Sequence, residues 1–253
     1  MRISVVIPVY NDRRVSRALE SVLSQRAREP AEIIVVDGAS TDGTLEVLER
    51  YRKRISILIS EPDKGVFDAL NKGIQAATGD AVAFLGADDR YADEGVLQTV
   101  SEVLRNEGVD LCYGDGVYVD ESDRVVRYWK GVRHPTFALY LGWAPFHPSV
   151  FIKKRVHDAH GLFDTRFQIA ADYEMWVRLL VRHKVRAAYV PRVLARMTLG
   201  GQSNKALRNI ARGFMDKARA WKLNSPGPGF VAVPLTFAWK LPQFILPGRR
   251  RCG

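Results

Sequence analysis

Runs of β-branched residues that alternate with helix-period segments constrain this chain more than any other feature. Residues 3–7 form a mostly branched apolar run, after which Val15, Leu19, Val22 and Leu23 recur at helical spacing. Ile33-Ile34-Val35-Val36 is wholly apolar, as in strands covered on both faces. Ser40-Thr41-Asp42 supplies cap residues for a helix in which Leu45, Leu48 and Tyr51 share a face. A third strand is predicted over residues 55–59, a short helix over 66–77 ended by Gly79, and a fourth strand over 81–85. This order predicts an α/β fold with a mostly parallel central sheet flanked by helices.

The rhythm then changes. Short strands are predicted at 111–113, 117–119 and 125–128, with a turn at 120–123. A helix is predicted over 171–182, a strand over 185–190, and a basic amphipathic helix over 205–223. There is no internal repeat and no low-complexity segment. The two cysteines, Cys112 and Cys252, are too few for a disulfide framework. The first run is closed early by Pro8 and Asn11-Asp12-Arg13-Arg14, so it reads as a strand and not as a secretory signal.

The net charge of +10 is concentrated at one end. From Gly200 onward ten Lys and Arg stand against one acid, Asp216, so the last stretch carries +9 and the remainder is near neutral. A nucleic-acid-coating protein would spread basic residues over its main domain. Here they lie beside Trp221, Phe230, Phe237, Trp239 and Phe244, which suits an anionic membrane surface, although a solvated helix face is the plainer alternative. The apolar stretch 230–247 is broken by Pro234, Lys240 and Pro242, too short for the ~20 apolar residues of a spanning helix.

In open parallel sheets ligands bind beyond the carboxyl ends of the strands. Polar residues stand at four such ends: Pro8, Tyr10 and Asn11; Asp37 and Ser40; Glu61, Asp63 and Lys64; and Asp88 with Asp89. Two adjacent carboxylates after a buried strand suffer desolvation and mutual repulsion, which a divalent cation offsets. Aspartate oxygens suit Mg²⁺ or Mn²⁺, whose shells are completed by substrate phosphates. There is no Gly-x-x-x-x-Gly-Lys loop and no Gly-x-Gly-x-x-Gly, so neither a P-loop NTPase nor a dinucleotide enzyme is indicated.

The stretches from Ile3 to Asn11 (ISVVIPVYN), from Ile33 to Asp42 (IIVVDGASTD) and from Phe84 to Asp89 (FLGADD) resemble the family 2 glycosyltransferases with the GT-A fold. The stretch from Glu61 to Gly73 (EPDKGVFDALNKG) is similar to a subset that builds bacterial polysaccharides and glycolipids. The resemblance covers roughly residues 1–205. It implies that Tyr10 and Asp37 contact the nucleotide base with Asp63 nearby, that Asp88 faces the ribose and that Asp89 faces the metal. It also implies that Asp172 is the catalytic base. Pro8, Lys64 and Asn71 complete the expected donor-binding set. Two departures stand out: Gly38 occupies the place of a frequent second acid, and Leu70 that of a frequent arginine before Asn71, a charge for which Lys64 is the candidate substitute.

The chemistry follows independently. A nucleotide-diphosphate sugar carries its own leaving group, so the enzyme must neutralise charge on the diphosphate and deprotonate an acceptor hydroxyl. One carboxylate suffices, and attack opposite the leaving group inverts the anomeric centre. Asp172 reads as that base or as a helix cap, with Glu174 the neighbouring candidate. His147 reads as a diphosphate or acceptor contact or as a packed histidine. Trp143, with Trp129 and Tyr140, reads as an acceptor platform or as core.

The expected organisation is a GT-A domain over 1–204, with a nucleotide-sugar-binding half over 1–110 and an acceptor-binding half over 111–204, followed by a basic tail over 205–253. The expected activity is metal-dependent, inverting, non-processive transfer from a UDP-, GDP- or dTDP-sugar to a lipid-linked or glycolipid acceptor. Nucleic acid is not an expected partner, and the expected location is the cytoplasmic face of the membrane. A sugar-nucleotide nucleotidyltransferase and a degenerate sugar-nucleotide-binding protein remain as alternatives.

Overall fold

The computed structural model describes residues 1–199, 207–225 and 233–235. The expected alternation is present at the start: β1 (Ile3–Val9), α1 (Val15–Leu23), β2 (Glu32–Asp37), α2 (Thr44–Arg50), β3 (Ile57–Ser60), α3 (Val66–Ala76) and β4 (Ala81–Phe84). These strands lie parallel in the order β3-β2-β1-β4. Because strand side chains alternate, Val6, Ile34, Val36, Val82 and Phe84 pack on one face with α3. Val5, Ile7, Ile33, Val35 and Ala83 pack on the other with α1 and α2. Each such buried aliphatic side chain contributes about 1.5–3 kcal/mol relative to exposure.

The second half is β5 (Arg90–Tyr91), α4 (Val96–Leu104), β6 (Leu111–Val119), β7 (Val125–Trp129), α5 (Pro135–Tyr140), β8 (Val150–Lys153), α6 (Lys154–His160), α7 (Ala171–Trp176), β9 (Ala187–Thr198) and α8 (Leu207–Asn224). β8 joins β4 in antiparallel register and is followed by β6, β9 and β5, with β7 on β6. Beyond β4 the sheet is therefore mixed.

Three local readings change. The two predicted strands around Gly114 and Gly116 are one, β6, whose glycines leave room for its neighbours: a side chain at 114 would meet Leu194 Cγ at 2.5 Å and one at 116 would meet Phe146 Cδ1. The strand predicted at 185–190 runs on to Thr198 through Pro191. The register along β6 passes from Val190 to Val193 between Gly114 and Asp115, so Pro191 sits in a bulge where no ladder N–H is needed. The helix predicted over 171–182 is α7 continued by a π-helix, Val177–Arg182.

α8 shares the core of the second half. Ala220 and Trp221 belong to the same buried cluster as Tyr173 and Trp176 of α7. The Trp221 indole N–H donates to the Tyr173 hydroxyl at 2.9 Å, and Asp216 accepts the Ile169 amide at 3.1 Å. Trp221 is thus a packing residue and not part of an exposed aromatic fringe. Residues 200–206, Phe230, Phe237, Trp239, Phe244 and Cys252 lie outside the described residues. Among the described residues, no helix is long and apolar enough to cross a membrane.

Candidate active site

The carboxyl ends of β1, β2, β3 and β4 converge, as parallel register requires. The loops after β1 and β2 are cross-bonded: the Asn11 amide donates to Ser40 Oγ at 2.8 Å, and Asn11 Oδ1 accepts the Thr41 amide at 2.8 Å. Asn11 (φ 48°) and Ala39 (φ 62°) both adopt left-handed backbone, uncommon for residues with a side chain and typical of functional loops. Ser40 therefore clasps the β1 loop instead of capping α2, whose first turn is served by Asp42 accepting the Thr44 amide at 3.0 Å.

Tyr10 is 57% exposed at the mouth of the site. Pro8 lies within β1, in register with Val36. Asp37 is fully buried, accepting the Ser60 hydroxyl at 2.7 Å and the Ser40 amide at 3.2 Å. Asp63 meets Tyr10 over Gly38: a side chain at 38 would come within 2.5 Å of Asp63 Oδ2 and 3.2 Å of Tyr10 Cδ2. The glycine at 38 is thus matched by a carboxylate from β3's loop that fills the space above it. Lys64 is exposed, and its amide donates to Asp68. The cation engaged in this loop is Lys72, 2.8 Å from Glu61 and 2.9 Å from the Pro62 carbonyl.

The Asp88–Asp89 pair is the electrostatic centre. Asp89 is 4% exposed and accepts the Thr198 amide at 3.1 Å, while the Thr198 hydroxyl donates to the Asp88 carbonyl at 2.7 Å. Burial, followed by the charge of Asp88, pushes the Asp89 carboxyl up to about 7. Burial also raises Asp88, against Arg14, whose Nη1 lies 3.0 Å from Asp88 Oδ2. A side chain at Gly86 would stand 2.5 Å from Asp89 Oδ2, so the carboxylate occupies a cradle that only glycine leaves open. Among the described residues, no group of three or more His, Cys, Asp or Glu could hold a metal by itself. Two desolvated carboxylates nevertheless fit a Mg²⁺ or Mn²⁺ ion whose shell is completed by phosphate and water.

Asp172 lies half-buried in the first turn of α7, with Oδ1 accepting the Tyr173 amide at 2.8 Å. The N-cap residue is Ala170, so Asp172 does not occupy the cap position itself. Burial raises the Tyr118 phenol, which Arg127 lowers and the charges of Asp89 and Asp172 raise further. Tyr118 therefore lies within electrostatic reach of both carboxylates. His147 stacks on Phe84 at 5.3 Å, and among the described residues its buried Nδ1 has no hydrogen-bond partner. Burial lowers its pKa against the opposing charge of Asp172, which keeps the ring neutral.

Three expected site residues have structural work elsewhere. Glu174 is 3% exposed, paired with Arg178 at 3.0 Å and accepting Asn224 Nδ2 of α8 at 3.0 Å. These contacts tie the back of α7 to α8. Trp143 is 1% exposed with its indole N–H on the Lys130 carbonyl at 3.1 Å, a core position that offers no stacking face. Asn71 ties α3 to the 160s loop, donating to the Phe163 carbonyl at 2.8 Å and accepting its amide at 2.9 Å. Arg14, Ser60 and Thr198 enter the site instead. Ser60 is the last residue of β3, a signal legible in the sequence; Arg14 stands before α1 and Thr198 where the bulged β9 ends, and no local pattern marks either for the site.

Residues 4–160 match the family described as Glycosyl transferase family 2. A PGL/p-HBAD biosynthesis glycosyltransferase of Mycobacterium tuberculosis is 29% identical over 209 residues, covering 79% of this chain and 78% of its own length. An uncharacterized glycosyltransferase of the same species is 35% identical over 184 residues, 70% of this chain and 68% of its own. Among solved structures, a mannosyltransferase of Pyrobaculum calidifontis in complex with GDP-Man and Mn²⁺ superposes with a TM-score of 0.69 at 22% identity, over 96% of this chain and 72% of that one. The S. aureus TarS fragment 1–349 in complex with UDP-GlcNAc gives 0.66 at 17% identity, over 95% and 72%. Both structural likenesses concern the GT-A fold. With the family matched over more than half its length and its strand-end aspartates gathered at one mouth, the chain belongs to glycosyltransferase family 2 and is a glycosyltransferase.

Proposed function

We propose that the protein transfers one sugar per encounter from a nucleotide-diphosphate sugar to a hydroxyl of a lipid-linked saccharide or glycolipid, with inversion and with a divalent cation. The observation that carries this reading is Asp89, a carboxylate raised first by burial and then by the neighbouring Asp88, beyond the end of a parallel strand. Asp88 and Asp89 would hold the cation, which would supply positive charge to the departing diphosphate. Tyr10 and Asp63 flank the nucleotide base, with buried Asp37 fixing their loops through Ser40 and Ser60. Asp172 accepts the proton of the acceptor hydroxyl as its oxygen bonds to the anomeric carbon. The bond from that carbon to the diphosphate breaks, and the nucleotide diphosphate leaves with the electron pair. The fold neighbours with UDP-GlcNAc and with GDP-Man and Mn²⁺ support the donor class.

The donor is testable by thermal shift across UDP-, GDP- and dTDP-sugars with and without Mn²⁺. A ligand at 100 times its Kd stabilises by about 2.7 kcal/mol, a Tm rise of roughly 5–10 °C for a chain of this size. One nucleotide is expected to stand out, and only with Mn²⁺. Equal shifts with and without the cation would remove the metal from this reading.

Association with the inner face of an anionic membrane is supported by the +9 charge and the aromatic residues from Gly200 onward. Deleting residues 236–253 keeps α8 and the buried Val233 while removing Phe237, Trp239, Phe244 and the last three arginines. The shortened chain is expected to stop co-sedimenting with phosphatidylglycerol vesicles and to keep its nucleotide-sugar thermal shift. Unchanged sedimentation would refute the anchor.

A further inference from the structure

Arg14 opens α1, a helix with no acidic residue in its first turn. A guanidinium there opposes the helix dipole, so helix stability does not account for it. Its surroundings do. Asp12 grips the guanidinium as a fork, Oδ1 accepting Nε at 2.8 Å and Oδ2 accepting Nη2 at 2.6 Å. A fork of this kind fixes the guanidinium plane. The remaining nitrogen, Nη1, stands 3.0 Å from Asp88 Oδ2 as an ion pair without hydrogen-bond alignment, so this buried oxygen has no hydrogen-bond partner among the described residues. The Asp88 side chain is 16% exposed and that of Arg14 40%, so the pairing from the first strand's loop onto the fourth's is sheltered on the aspartate side.

We infer that Arg14 is the resident counter-ion of Asp88, competing with the divalent cation and thereby coupling cation loading to donor loading. This rests on the reading of Asp88 and Asp89 as cation-holding residues. A cation bonded to Asp88 oxygen stands about 2.1 Å from it. The guanidinium on the same oxygen would then face it at short range, and like charges at a few ångström in a sheltered site repel strongly. Arg14 must leave Asp88 for the cation to enter. A donor diphosphate at the same mouth offers the released guanidinium new oxygen partners. Cation and nucleotide diphosphate therefore each bind weakly alone and strengthen one another, a positive coupling that Arg14 carries.

The test is Mn²⁺ titration of the full chain by electron paramagnetic resonance, without nucleotide and then with UDP or GDP, for wild type, Arg14→Gln and Arg14→Lys. Circular dichroism verifies that each variant is folded. Arg14→Gln is expected to tighten Mn²⁺ binding in the absence of nucleotide by roughly two- to fivefold, the range of one partly exposed ion pair lost as competitor. It is also expected to shrink the factor by which the nucleotide diphosphate tightens Mn²⁺. Arg14→Lys, which keeps a point charge, is expected to return Mn²⁺ affinity toward wild type. Unchanged or weaker Mn²⁺ binding by Arg14→Gln, with wild type still binding Mn²⁺ alongside nucleotide, overturns this inference alone. Absence of Mn²⁺ binding in every form, nucleotide present, overturns both it and the metal reading beneath it.

Discussion

Replacing Asp89 by Asn is expected to cut turnover by at least about 10²-fold and, at the same time, to make the cation-free protein melt later than wild type. The two effects share one cause. Burial and the adjacent Asp88 hold the Asp89 carboxyl up to about 7, against an ordinary value of 3.8. A group raised in the folded state binds a proton there before it does in the unfolded chain. Its ionisation therefore costs stability as pH rises from the unfolded value toward 7, and the full cost persists above 7. Asparagine keeps an oxygen for the Thr198 amide and carries no charge. With cation chelated, the Tm advantage of Asp89→Asn should be largest near pH 8 and shrink by about pH 5. A gain of 1 kcal/mol corresponds to about 2–4 °C in a protein of this size. A variant that melts earlier than wild type at pH 8, or one that keeps full turnover, would contradict this account.

Asp172→Asn is expected to lower kcat by about 10²–10⁴-fold while leaving the nucleotide-sugar thermal shift and the KM for donor near wild type. The amide can still accept the Tyr173 N–H through Oδ1, so the start of α7 is preserved. What disappears is the acceptor for the hydroxyl proton. The expected signature is thus a kcat defect without a donor-binding defect. Full turnover by Asp172→Asn would remove it as base and return the donor-binding protein without catalysis to consideration.

The behaviour of particular residues separates what was legible from what was not. The placement of Asp37, Asp63, Asp88 and Asp89 at one edge was recoverable because each stands at or beyond the end of an apolar strand, and parallel strands bring their carboxyl ends together. Glu174, Trp143 and Asn71 read equally well as site residues by type and neighbourhood. Their side chains are taken up by Arg178 and Asn224, by the Lys130 carbonyl and by the Phe163 backbone, partners that local sequence does not name. Gly38 read as a missing acid, and the structure explains it through Asp63, which reaches the same space from another loop.

By itself the sequence determined the four parallel strands, the helices between them and the edge at which acids gather. Those features follow from side-chain period and from desolvation, which act over a few residues. Only the tertiary structure decided that β9 passes through Pro191 to bring Thr198 onto the Asp88–Asp89 pair, 109 residues from Asp89. It likewise decided that Arg14 stands against Asp88 and that α8 braces the back of α7. Such contacts depend on which distant groups packing brings within hydrogen-bond reach, and no periodicity along the chain encodes that choice.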